Sequence, residues 1–173
     1  LAILLFLGLI VSAVVGLFEG IVQELPLIVS FQSLILGMAG NVGTQSLAVT
    51  VRSLGDEEDN SFKNQLIIIL KEVRVALLNG AILGAISFAI VSVYLFVFAS
   101  YSAPFVFGAA GCVGLAMCFA MAISGFTGAA IPIGLYRLGV DPAVASGPLI
   151  TTINDLVAVI SYYGLAWALL LGI

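Results

Sequence analysis

Between Arg74 and Arg137 the chain carries no charged side chain. A helix crosses the hydrocarbon of a bilayer in about 20 residues, roughly 30 Å. The uncharged run is too long for one such crossing, and an apolar segment of this length has no face to offer water. "YSAP" at Tyr101–Pro104 interrupts it, because proline and the residue before it disfavour helix. Two spans are therefore expected, one on each side of that break. The composition of the whole chain agrees. Of 173 residues 62% are hydrophobic and 8% charged, with a mean hydropathy of +1.29, whereas a soluble domain is about 45–50% apolar and about 25% charged. The expectation is an all-α integral membrane protein, residues 1–173 forming one transmembrane domain.

Three further spans complete the reading. Leu1–Phe18 is the first, Leu25–Val51 the second, and Ala143–Ile173 the fifth, entered from the turn "RLGVDP" at Arg137–Pro142. After the second span comes the polar connector "RSLGDEEDNSFKNQ". Asp59, Asn60 or Ser61 can cap a helix there, and Phe62, Leu66, Ile69 and Val73 recur on one face, which predicts an amphipathic interfacial helix. All five basic residues, Arg52, Lys63, Lys71, Arg74 and Arg137, fall in the two loops that share a side of a five-span chain. Basic loops stay in the cytoplasm, so the N-terminus is expected inside and the C-terminus outside. Leu1 starts directly in apolar sequence with neither a start methionine nor a charged leader segment, so a piece of a longer protein is expected and not a signal peptide.

Several function classes are excluded by what the residues are. No basic patch exists for nucleic acid, and with no histidine in the chain neither HExxH zinc chemistry nor a serine–histidine dyad can operate. An aspartyl intramembrane protease needs two facing acids in its spans, and only Asp155 qualifies. Cys112 and Cys118, six apart on an apolar stretch, suit neither a CxxC site nor a bridge and are expected to pack. No enzyme is expected.

What remains is Asp155. Counted from Ala143 at about 1.5 Å per residue it lies roughly 18 Å into its span, near the membrane centre. An ionised carboxylate there is unfavourable by at least about 2.5 kcal/mol and ordinarily faces a partner or a water-filled path. No basic residue lies within any span to pair with it. Thr151 shares its helical face at i−4, Thr152 and Asn154 are close by, and Ser146-Gly147-Pro148 loosens the backbone. The second span holds a matching feature, "GMAGNVGTQS" from Gly37 to Ser46. Asn41 lies about 15 Å from the cytoplasmic end of its span by the same helical rise, at nearly the depth of Asp155. Gly37, Gly40 and Gly43 bare their carbonyls, and Thr44 and Gln45 add polar groups. Glycines alone would indicate only close helix packing; together with Asn41, Thr44, Gln45 and Ser46 they indicate half of an ion path. Gly16/Gly20, Gly80/Gly84 and Gly108–Gly114 are read as packing seams. Tyr162, Tyr163 and Trp167 are interfacial anchors or core. Glu19 and Glu24 are either solvated loop acids or a pore mouth.

"PLIVSFQSLILGMAGNVGTQS" followed by "TVRSL", and then "DPAVASGPLITTINDL", resemble the membrane domain of the MgtE magnesium channels and transporters, over essentially the whole chain. The resemblance implies a homodimer in a prokaryotic plasma membrane, with an ion pathway at the subunit interface lined by spans two and five. It implies Mg²⁺, with other divalent cations, as the transported and bound ion. Asp155 takes the place of the span-five aspartate that holds the ion, with Gly40, Asn41 and Thr151 beside it. Gly37, Gly43, Thr44, Gln45, Gly147, Pro148 and Asn154 are the expected pore lining. The family also implies a cytosolic helical domain and a CBS pair ahead of the first span as a magnesium-sensing gate. Two other functions fit the residues: a secondary exchanger in which Asp155 titrates to couple proton or sodium movement, and a non-conducting assembly domain that dimerises through glycine seams.

Overall fold

A computed structural model describes residues 2–56, 61–98 and 101–171. The described residues form six helices, α1 Ala2–Gly16, α2 Glu19–Glu24, α3 Leu27–Asp56, α4 Phe62–Phe98, α5 Ala103–Arg137 and α6 Pro142–Ala166, closed by a π turn at Trp167–Leu171. Four of these, α3, α4, α5 and α6 with its closing turn, are long and apolar enough to cross a membrane. α1 has 15 residues, about 22 Å of helix, and falls below that length.

The breaks lie where the backbone chemistry put them. α5 opens on an extended Ser102 with Pro104 in its first turn, where a missing N–H removes no helical bond. It ends in a Schellman motif: the Gly139 N–H donates to Tyr136 O at 3.1 Å and the Val140 N–H to Leu135 O at 3.0 Å. That motif needs a left-handed residue, and Gly139 supplies it at φ +73°. At the start of α4 the Asn64 N–H donates to Ser61 Oγ at 3.4 Å, so Ser61 is a cap; Asp59 and Asn60 lie outside the described residues.

The separate amphipathic helix after the second span is not a separate element. It is the first third of α4, which runs unbroken through 37 residues, about 55 Å. Of its apolar face Phe62 and Leu66 are 67% and 46% exposed, while Ile69 packs against the buried Leu54, Ile68 and Ile133. The packed ridge is Gln65, Ile68, Ala76, Gly80, Gly84, Ser87, Val91 and Leu95, while Leu78, Ile82, Ile86, Ile90 and Val97 point away. Lipid tails are as apolar as leucine, so helices associate there through small residues that permit close approach. A Cβ at Gly80 would stand 3.0 Å from Cys118 Cα, and one at Gly84 2.6 Å from Gly114 O. The seams at Gly80/Gly84 and at Gly108 and Gly114 thus serve packing as expected. Gly16, Gly20 and Gly111 have no such neighbour within this chain: among the described residues nothing lies within 4 Å of where their Cβ would be.

α5 is the central helix, packed against α3, α4 and α6. Its interior is made of small side chains, Ala109, Ala110, Ala116, Ala120 and Ala129, with Met117 and Met121 filling the gaps. Cys112 and Cys118 are free thiols; Cys112 is buried and its Sγ–H donates to Tyr162 O at 3.5 Å. Tyr162 and Tyr163 are core residues, 1% and 0% exposed, whereas Trp167 is 60% exposed. The Tyr162 hydroxyl donates to Ile28 O at 2.8 Å and the Tyr163 hydroxyl to Gln32 Oε1 at 2.6 Å, with Phe18 stacked on Tyr163. These contacts lock α6 to α3 at one end of the bundle. At the opposite end Arg137 Nε donates to Gln65 Oε1 at 2.6 Å and its guanidinium covers the Phe62 ring, joining α5 to α4.

Candidate cation site

A polar stripe runs down one open side of α3. Ser33, Gly37, Asn41, Thr44, Gln45, Ala48 and Arg52 are all exposed, at spacings of three and four that keep them on one helical face. The opposite side of the same helix is closed, with Ile35, Ala39, Val42 and Ser46 buried. Thr44 Oγ–H is shared between Gly40 O and Asn41 O, both at 3.0 Å. A Cβ at Gly37 or Gly40 would meet nothing within 4 Å. Packing inside this protomer therefore gives no reason for glycine at either position.

α6 brings the carboxylate. Its buried ridge is Ile150, Asn154, Ala158, Tyr162 and Ala166, each no more than 1% exposed. Thr151 and Asp155 form the next ridge round, Thr151 exposed and Asp155 half-buried. Among the described residues no group pairs with the Asp155 carboxylate. Thr151 donates to Gly147 O at 3.1 Å and Thr152 to Pro148 O at 3.0 Å, so both hydroxyls fold back on their own helix beside the internal Pro148. Gly147 and Pro148 are half-buried.

The two halves meet through Asn154, which points into the protomer and not toward the open side. Its amide lies on Gly43: a Cβ there would overlap Asn154 Nδ2. Asn154 Oδ1 accepts from Thr127 Oγ1 of α5 at 3.0 Å, and Nδ2 is buried with no partner. The contact sets the level of Asp155 against α3, because Asn41 is two residues, about 3 Å of helical rise, from Gly43. Thr127 was not singled out from the sequence. Its signal was present in "SGFTG", Ser124–Gly128, a small polar run in the middle of α5. There Gly128 admits α3 so closely that a Cβ would stand 2.5 Å from Gly43 O.

Glu19 and Glu24 bound the short helix α2, away from Asp155 at the tyrosine end of the bundle. Glu19 accepts from Gln23 Nε2 at 3.2 Å, and Glu24 lines two open clefts of about 440 and 420 Å³. Among the described residues no three His, Cys, Asp or Glu side chains come together. The other candidate donors for a cation at Asp155 are then the amide, hydroxyl and carbonyl oxygens of the polar segments of α3 and α6. That donor set is all oxygen and suits a hard cation such as Mg²⁺ over zinc or copper.

Long apolar helices around a small-residue core, with a polar stripe on α3 and a carboxylate on α6 that has no partner among the described residues, are the features of an α-helical membrane protein. Residues 32–165 match the MgtE family, described as a divalent cation transporter, and the chain belongs to that family. It is similar to the magnesium transporter MgtE of Enterococcus faecalis, at 41% identity over 94% of this chain and 34% of the relative. The magnesium transporter MgtE of Bacillus subtilis is 38% identical over 97% of this chain and 35% of its own length. That of Thermus thermophilus is 30% identical over 98% and 35%. The chain thus spans about a third of the length of the curated relatives it matches, which are transporters and not enzymes.

Proposed function

We propose that this domain conducts Mg²⁺ across the membrane as a homodimer, with the open sides of α3 and α6 facing their symmetry mates across an ion path. The observation that carries this reading is the Asp155 carboxylate: half-buried, without a partner among the described residues, and next in the chain to Asn154, whose amide rests on Gly43 of α3. A second copy brings a second carboxylate, and two carboxylates match the charge of one divalent ion. Mg²⁺ holds its water tightly at about 2.0–2.1 Å, so Asp155, Asn41, Thr151 and the carbonyl of Gly40 grip the ion through its hydration shell. Gly37, Thr44, Gln45, Gly147 and Pro148 line the approach, and binding through water is loose enough to permit exit. Asn154 and Gly43 support the lining from behind.

α1 is the first of five spans, its shortfall in length met by local thinning of the bilayer. The first turns of α4, with Lys63, Lys71 and Arg74, lie at the cytoplasmic interface. The N-terminus is inside and the C-terminus outside, in a prokaryotic plasma membrane. Glu19 and Glu24 gather cations at the outer mouth. Cytosolic regulatory domains of the CBS type gate the path in the full-length protein. The test is Mg²⁺ uptake by the full-length protein carrying Asp155→Ala in liposomes. Loss of flux is expected, and undiminished, Mg²⁺-selective flux would overturn the reading.

A further inference from the structure

Asn154 stands on the fully buried ridge of α6, between Ile150 and Ala158, where an aliphatic side chain would meet only protein. An amide there adds little stability inside a membrane protein and leaves Nδ2 buried without a partner. What it does have is geometry. Oδ1 shares the Thr127 hydroxyl of α5, at 3.0 Å, with Ser124 O at 3.2 Å, and the rest of the amide rests on the bare Cα of Gly43 in α3. One side chain therefore registers α6 against two other helices at once. A buried polar residue used in this way fixes orientation at the expense of stability, as a single asparagine does in the seam of a coiled coil. The next residue is Asp155, about 100° further round the helix, and among the described residues no hydrogen bond or ion pair fixes its aim.

We propose that Asn154 is a positioning residue: with Thr127 and Gly43 it sets the rotation of α6, and through it the direction and depth at which Asp155 meets the ion. The proposal rests on the reading of Asp155 as the ion site. It assigns to Thr127 a part in ion affinity although that residue stands on α5 and not on α3 or α6. An apolar replacement at the node loosens the rotation of the Asp155 half of α6, where the neighbouring ridge members Ile150 and Ala158 are held by non-directional packing, while the Tyr162 and Tyr163 hydroxyls still hold the far end to α3.

The experiment compares Thr127→Val, which removes the hydroxyl at nearly constant shape, with Asn154→Ala and with the double variant, in the full-length protein in liposomes. Half-saturating Mg²⁺, maximal flux and discrimination against Ca²⁺ are measured. In parallel, thiols introduced at Ile150 or Thr151, in a background lacking Cys112 and Cys118, are probed with a charged maleimide. In the parent, position 151 reacts and position 150 is protected. In the variants half-saturation rises by about 10- to 100-fold, the range seen when residues orienting a metal ligand are removed. Discrimination against Ca²⁺ falls, the contrast between positions 150 and 151 shrinks, and the double variant is no worse than either single one. Unchanged half-saturation, selectivity and labelling in Thr127→Val overturn the proposal, and so does a lower maximal flux with the labelling contrast intact. If Asn154→Ala does not fold, Thr127→Val decides alone. If the parent protein moves no Mg²⁺, it is the transport reading that fails, and the labelling contrast still decides whether Thr127 and Asn154 fix the rotation of α6.

Discussion

Two glycines three residues apart on α3 do different work. Gly43 is held against Asn154, and an added methyl would overlap the amide. Gly43→Ala is expected to destabilise the domain by about 1–3 kcal/mol, the usual penalty for overpacking, read as a lower unfolding midpoint in detergent. Gly40 faces open space, so Gly40→Ala leaves the protomer as stable or raises it by up to about 1 kcal/mol through helix propensity. If Gly40 lines the path, the same methyl reduces Mg²⁺ flux. A destabilised Gly40→Ala protein with normal flux would contradict both statements. The sequence shows three similar glycines in "GMAGNVG", and it has no means of showing which one carries a neighbour from α6.

At the scale of the helix, the inward and outward faces are reversed from those of a soluble bundle. α4 turns Ala76, Gly80, Gly84 and Ser87 inward and its larger aliphatic residues outward. Gly84→Val should separate α4 from α5, because its side chain would enter the space of Gly114 O; a fall in thermal midpoint with increased protease sensitivity between the two helices is the expected result. Leu78→Ala, on the exposed side, should leave the midpoint nearly unchanged in the same assay. The tyrosines of α6 contribute in a smaller way. Tyr162→Phe removes one buried hydrogen bond to Ile28 O and should lower stability by about 0.5–1.5 kcal/mol without altering ion selectivity. The periodicity of Phe62, Leu66, Ile69 and Val73 marks an apolar face of which Phe62 and Leu66 stay exposed in the fold, because apolar periodicity marks burial in protein only where the alternative solvent is water.

The molecule as a whole has one end rich in basic residues and one rich in aromatic contacts. Arg137 meets Gln65 and Phe62 at the first, and Phe18, Tyr163 and Gln32 meet at the second. If the basic end is cytoplasmic, single cysteines placed beside Arg137 label only from the inside, and those beside Tyr101 only from the outside. Conduction down the Mg²⁺ gradient predicts a flux that does not respond to imposed pH or Na⁺ gradients. Coupled dependence on either would favour an exchanger in which Asp155 titrates. Two copies are expected to cross-link through cysteines at Asn41 or Thr44, since those positions are exposed within the long apolar helix α3.

The membrane class, the long helices and the breaks at Tyr101–Pro104 and Arg137–Pro142 were all legible from the order of residues alone. Each is a local matter: hydropathy over a window, or proline and glycine chemistry. Whether the connector after α3 ends before α4, which glycines carry packing and which stand open, and that Asn154 turns inward to Thr127 and Gly43 were decided only by the tertiary structure. These depend on which residue of one helix comes opposite which residue of another. The rotation of a helix about its axis is set by the sum of its contacts with distant parts of the chain, and no window of sequence contains that sum.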